Sequence, residues 1–312
     1  MNLACRLGIV FFILLGSSSL RAAIFGPDDR QYVRAGSADF ANGRATAIGV
    51  IKSLILPRPD KSFDLWIESL SSTVCKVDRF SADPSLSYAC TGFLLAPDLL
   101  VTAGHCMVNT GEVHDEPHGY CEVYSWLFDF RRHGLGTQVT GLSASRLYSC
   151  KRIVVAFNES VPPYRDFALV QLDRSVLDRQ TLKIAARAVE KGDSVRMIGY
   201  PLGGPQKSAG PARVTYNEPT RGSFVTNLDA LDGNSGSPVF NAHHEVVGIL
   251  IAGTPSAGLV QDGKRSCSHY NQCKEDGSGC HMPDAKDFVP QGFQSTGSEV
   301  ERISEIKAYI AH

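Results

Sequence analysis

From residue 47 to residue 252 the chain sets short apolar or alternating runs between turn residues, and this pattern constrains its fold most. The runs are Ala47–Leu56, Tyr88–Leu95, Leu99–Thr102, Cys121–Phe128, Ile153–Phe157, Phe167–Leu172, Ser194–Tyr200, Arg213–Tyr216, Ser223–Thr226, Ser237–Phe240 and Val246–Ala252. Successive strand residues point to opposite faces, so a half-buried strand reads as alternation. The spacers hold Gly, Pro, Asn and Asp, as in Pro201-Leu202-Gly203-Gly204-Pro205. Those residues supply the backbone angles and local hydrogen bonds of tight turns. No alternation of strands with helices is visible, which disfavours a parallel α/β sheet. Many short strands without a fixed repeat predict an all-β sandwich or barrels. The more polar stretch 172–192 could link two halves. Near the end the pattern changes. Val300, Ile303, Ile306 and Ile310 recur every three to four residues, and Ser298-x-x-Glu301 reads as a capping box. These predict a C-terminal amphipathic α-helix over 296–312.

The chain has 312 residues, 43% of them hydrophobic and 20% charged. That is enough apolar material for a real core, and it excludes collagen-like, coiled-coil and disordered chains. The formal net charge of −1 gives no electrostatic footprint for nucleic acid or an anionic membrane.

The first residues read as an export signal. Arg6 precedes the apolar run Leu7–Leu15, which is too short to span a bilayer, and small residues then lead to Arg21-Ala22-Ala23. Cleavage is expected after Ala22 or Ala23, removing 1–22; an uncleaved anchor is the alternative. Of the nine cysteines, Cys5 lies in the signal. The rest are Cys75, Cys90, Cys106, Cys121, Cys150, Cys267, Cys273 and Cys280, an even set that argues for disulfides in an oxidising compartment. Spacing alone fixes no connectivity, and the absence of a C-x-x-C pair removes support for a zinc ribbon. His114-Asp115-Glu116-Pro117-His118 holds four potential metal ligands, but its Pro and charges read as an exposed loop, so no metal is expected. The mature chain is expected to be secreted, periplasmic or extracellular, monomeric and free of membrane.

Three segments carry chemistry: Val101-Thr102-Ala103-Gly104-His105-Cys106, Arg165-Asp166-Phe167-Ala168-Leu169, and Asp232-Gly233-Asn234-Ser235-Gly236-Ser237-Pro238. Acyl transfer by serine needs a hydroxyl, a base to take its proton and a carboxylate to orient that base. It also needs backbone N–H donors aimed at the developing oxyanion. A tight Gly-x-Ser-Gly turn can expose the Ser235 hydroxyl and point the N–H groups of Gly233 and Ser235 into one cavity. The order His, Asp, Ser belongs to chymotrypsin-type barrels; hydrolase-fold enzymes and subtilisins use other orders. Asp173 and Asp129 are alternatives to Asp166, and Ser237 is the alternative to Ser235.

These segments resemble the trypsin-like serine proteases of the chymotrypsin family. Thr102–Cys106 matches the family's T-A-x-H-C box, Asp166–Leu169 its D-x-A-L box, and Gly233–Pro238 its nucleophile box. Asn234 before the serine, and the start Ile24-Phe25-Gly26-Pro27-Asp28-Asp29-Arg30, are closer to the bacterial glutamyl-endopeptidase branch. The resemblance spans about 24–255, and the Cys-rich segment 262–290 matches nothing in it.

The resemblance implies two antiparallel six-stranded barrels packed at a cleft, with a C-terminal helix. The N-terminal barrel and its arm would occupy 23–180, and the C-terminal barrel with its Cys-rich loop 181–295. It implies His105, Asp166 and Ser235 as catalytic residues and Gly233 and Ser235 as oxyanion donors, with no cofactor and protein or peptide substrates. It implies a Cys90–Cys106 bridge. Cys121–Cys150 is a second expectation, with two of Cys267, Cys273 and Cys280 paired and the third reaching Cys75. Asp229 would lie at the base of the primary pocket and select Arg or Lys, unless it turns to loop N–H groups, which would leave an apolar pocket. Leu250 replaces the histidine of the glutamyl branch, and Ile251 and Gly253 would bind substrate backbone. Asn234 cannot pair with a new N-terminal amine, so the mature start is expected near Ala23 or Ile24, with a cut near Arg44 as the competing route. The alternative function is a catalytically idle homologue that binds.

Overall fold

A computed structural model describes residues 23–111, 113–114, 120–132, 139–253, 258–280 and 297–310. The signal segment 1–22 and most of the His114–His118 cluster lie outside them.

The first barrel is built from β1 Thr46–Ile51, β2 Cys90–Ala96, β3 Leu99–Thr102, β4 Tyr124–Phe128, β5 Leu147–Asn158 and β6 Asp166–Leu172. Their order is β5-β4-β1-β2-β3-β6, and antiparallel pairing of β5 with β6 closes the ring. Phe93, Leu100, Val101, Trp126, Phe128 and Leu169, from both faces of these strands, are buried in one core cluster.

The second barrel uses β7 Ser194–Gly199, β8 Lys207–Asn217, β9 Ser223–Thr226, β10 Pro238–Phe240, β11 Val246–Ala252 and β12 Ser298–Arg302. The order is β7-β10-β11-β12-β9-β8, closed by β7 on β8. Val195, Phe224, Val239, Leu250 and Val300 form its core. Ile249 and Ile251, on the opposite face of β11, join the core of the first barrel instead. The barrels therefore dock through continuous apolar packing, as burial of two complementary faces favours.

The chain end differs from the expected helix. Residues 298–302 are strand β12, and the helix is one short segment, Ile303–Lys307, with Arg302 at the N-cap position but no side-chain cap. The competing force is tertiary: β12 fills the gap between β9 and β11, satisfying backbone groups that would otherwise stay open. A boundary at 295 would thus cut the second barrel. The arm also belongs to that barrel, because Gln31–Tyr32 pairs with β8 and Ile24–Phe25 runs parallel to Gln272–Cys273. The four disulfides are Cys75–Cys267, Cys90–Cys106, Cys121–Cys150 and Cys273–Cys280; the second and third are the expected pairs, and of the three cysteines left open it is Cys267 that reaches Cys75.

Candidate active site

β3 ends at Thr102, Ala103 stays extended, and the short turn Gly104–Cys106 then displays His105. The bridge from Cys106 to Cys90 ties that turn to β2. Asp166 opens β6 beside it. The His105 backbone N–H donates to Asp166 Oδ1 at 2.8 Å, and His105 Nδ1 lies 2.7 Å from Asp166 Oδ2. A carboxylate accepts, so Nδ1 carries the hydrogen and Nε2 is left as the basic nitrogen of the ring. Both side chains are part-exposed, at 19% and 15%.

The second barrel presents Ser235 on a turn that only glycine can make. Gly233 has φ +90° and Gly236 φ +85°, and a Cβ would lie 2.5 Å from Tyr200 O and 2.1 Å from Thr91 O respectively. The turn is stitched by Ser237 N–H to Asn234 O at 2.8 Å, Gly236 N–H to Leu250 O at 2.7 Å and Leu250 N–H to Ser237 O at 2.9 Å. Among the described residues no protein acceptor takes the N–H of Gly233 or of Ser235. Those are the two donors an oxyanion would need.

Thr91 joins the halves, and sequence reasoning missed it. Its N–H donates to Ser235 O at 2.8 Å, its hydroxyl donates to Gly233 O at 2.8 Å, and the Tyr200 N–H donates to that hydroxyl at 3.2 Å. Thr102 in turn donates its hydroxyl to Thr91 O at 2.7 Å. A buried threonine following a disulfide cysteine was the available signal. Of the alternatives to the site residues, Ser237 is fully buried, Asp129 pairs with Arg131 and Arg179, and Asp173 pairs with Arg174.

Asp229 does not offer a free carboxylate. It is 2% exposed, and its oxygens accept the Phe25 N–H at 2.7 Å and the Asp29 N–H at 3.1 Å. Burial, and then the neighbouring Asp29 carboxyl, push it up to about 8. The N-terminal arm supplies partners in place of the substrate cation expected there. Ile251 is buried against the first barrel, while Ala252 and Gly253 are half-exposed. β10 pairs with β11 no further than Ile249, so the edge of residues 251–253 on that side is open among the described residues.

Next to Asp166 lies a cavity of about 550 Å³ between the segment 158–164 and the segment 220–223. Ile251, Ala252 and Glu299 also line it. Glu299 accepts the Ser223 hydroxyl at 2.7 Å, and burial pushes its carboxyl up to about 6. A smaller cavity of about 200 Å³ adjoins Gly233 on the other side, between Ser85–Ala89 and Leu202–Gly203.

Among solved structures, a Glu endopeptidase is 19% identical with a TM-score of 0.48, covering 74% of this chain and 87% of its own. The active form of the Rv3671c protease from M. tuberculosis is 14% identical with a TM-score of 0.42, covering 93% of each chain. The family model for a trypsin-like peptidase domain matches residues 90–249, a span that runs from the disulfide cysteine of β2 through His105, Asp166 and the Ser235 turn to β11. By that match over half its length, with both barrels closed around the matched segment, the chain belongs to the trypsin-like peptidase family.

Proposed function

We propose that this chain is a secreted serine endopeptidase working through an acyl-enzyme. The observation that carries the reading is the pairing of His105 with Asp166 beside a glycine-built Ser235 turn whose two N–H groups are unengaged. His105 Nε2 takes the Ser235 proton as Oγ attacks the scissile carbonyl, and it returns that proton to the leaving amine. Asp166 stays ionised, holds the ring tautomer and stabilises the imidazolium. Gly233 and Ser235 N–H groups bind the oxyanion. Water then repeats the sequence on the ester and frees the acid. Substrate adds as a strand along residues 251–253, where backbone pairing needs no particular side chain.

The expected preference for Arg or Lys rested on Asp229, whose carboxyl is given to the arm. The reading that fits is an apolar primary pocket, taking aliphatic or aromatic side chains. Leu250 and Val300 pair across β11 and β12, and both are buried with Ala230 in the second core. Export is supported by the apolar run Leu7–Leu15 and by four disulfides. The arm from Ala23 is built into the second barrel, which favours signal removal over a cut near Arg44 as the maturing step.

A fluorophosphonate probe should label Ser235, and a peptide-library profile run beside Ser235→Ala should show cleavage after apolar residues. An unlabelled wild-type protein would make the chain an idle homologue. Cleavage mainly after Arg or Lys would return Asp229 to the pocket.

A further inference from the structure

β11 and β12 bring one carboxyl of the cavity beside Asp166 close to the edge along which substrate would add. Ala252 and Glu299 are register partners across these two strands. Paired residues of an antiparallel ladder share a face, and both line the cavity of about 550 Å³. Among the described residues the Ser223 hydroxyl is the one donor to Glu299, 2.7 Å from Oε1, and Oε2 accepts no hydrogen bond.

The other charges at these walls are engaged. Asp166 accepts both its donors from His105, and Glu159 takes the Arg165 guanidinium on its two oxygens at 2.7 and 3.1 Å. Arg221 pairs with Glu218 at 3.3 Å. The segment 158–164 closes the cavity with Pro162, Pro163 and Tyr164, and Tyr164 is 40% exposed. An apolar wall with a carboxyl at its base suits an amphipathic side chain, whose stem lies on the wall while its charged head meets the acid. A tyrosine ring also attracts a cation to its face.

The ladder also fixes which substrate residue enters. The Gly236 N–H donates to Leu250 O at 2.7 Å, so the Ser235 turn lies where the open edge 251–253 begins. A substrate strand antiparallel to that edge sets the residue attacked by Ser235 opposite Ile251 and the residue before it opposite Ala252. That preceding residue shares the face of Ala252 and stands two strand spacings from Glu299, about 10 Å between backbones. Only the Ala252 methyl lies in the interval, so the long side chains of Lys and Arg can cross it and short ones cannot. We propose that Glu299 determines specificity: its carboxylate takes the cationic head of a Lys or Arg at the second substrate residue before the scissile bond. A charge-assisted hydrogen bond of this kind is among the stronger ones available. The primary pocket stays apolar, and the cation is read one residue earlier, by an acid of β12 in place of Asp229.

The proposal rests on the peptidase reading, and the test separates the two. Wild type, Glu299→Gln and Ala252→Leu are first titrated with a fluorophosphonate; a wild type that neither labels at Ser235 nor cleaves overturns the peptidase reading and this inference with it. The labelled proteins are then given peptides that share the preferred primary residue and differ only at the residue before it, which is Lys, norleucine or Glu. Norleucine keeps the lysine stem without its charge. Wild-type kcat/KM should be about 10-fold or more higher for Lys than for norleucine, the scale of one hydrogen bond to a charged group, and lowest for Glu. In Glu299→Gln the ratio of Lys to norleucine should fall to within about 2-fold of unity. A labelled wild type with a ratio near unity overturns this inference alone and leaves the peptidase reading standing. A ratio that survives in Glu299→Gln overturns it too, since another acid would then hold the cation. Should Glu299→Gln fail to fold, Ala252→Leu decides: its larger side chain stands in the interval, so the ratio should collapse, and a ratio kept at the wild-type value refutes the assignment.

Discussion

Asp166 and Asp229 are acids of the two different barrels, and each accepts two N–H groups. The donors make the difference. Those of Asp166 both come from His105, and one is a ring nitrogen whose far side is free to exchange a proton. Those of Asp229 are backbone amides of the arm, at Phe25 and Asp29, which cannot titrate. Asp166 is 15% exposed and in the proposed function orients the base; Asp229 is 2% exposed and holds the arm. A carboxylate's place in a motif says where it stands, but its role follows from the group that satisfies it.

The sharpest way to break this contrast is to swap both acids for amides. Asp166→Asn should lower kcat by about 10⁴-fold, because an amide cannot hold the required tautomer. Ser235→Ala should be comparable, since the three residues act as a unit. Asp229→Asn should leave kcat nearly intact and lower the melting temperature. Equal kinetic losses at both acids would erase the distinction.

A smaller effect is expected from Gly233→Ala, on the turn that carries Ser235. The added Cβ would lie 2.5 Å from Tyr200 O, at φ +90°. The turn must shift, and the Gly233 N–H with it, so kcat should fall by about 100-fold or more. Steady-state kinetics with a small active ester read it, and an unchanged kcat would remove Gly233 from the oxyanion role.

The disulfides sharpen the comparison in stability. The Cys90–Cys106 bridge spans 16 residues on the His105 side, and Cys273–Cys280 spans 7 on the arm side. In the chain-entropy model these are worth about 3 and about 2 kcal/mol. Replacing the first pair by alanine should also lower kcat, because Cys106 follows His105 directly. Replacing the second should loosen only the strand at Gln272–Cys273 that holds Ile24–Phe25. Denaturant melts with paired activity assays separate the two.

The sequence carried the two barrels, because β6 and its relatives are short apolar runs between turns, and the proposed triad, because three rare motifs occur in order. It hid β12. That strand is buried on both faces, with Val300 toward one barrel and Glu301 toward the other, so its alternation is lost. Val300 and Ile303 then mimic helical spacing across a strand–helix junction. Once the segment was read as helix, two acids on one strand face could not be seen. The partners of Asp229 were hidden for a related reason: the residues that satisfy it lie 200 and 204 positions away, in an arm that no local pattern connects to it.

The subtlest expected effect is on the pH dependence of stability. Asp229 is held up to about 8 by burial and by Asp29, while in the unfolded chain it titrates near ~3.9. Between those values the folded state binds the extra proton, so its stability from this group is full at low pH and declines as pH rises through the window. Asparagine cannot ionise and lacks that decline. The melting-temperature deficit of Asp229→Asn relative to wild type should therefore be largest near pH 5 and shrink, or reverse, toward pH 8. A deficit that grows with pH would mean the carboxyl is ionised in the folded protein. Asp229 would then resemble Asp166 in charge, and only the identity of the donors would still tell the two acids apart.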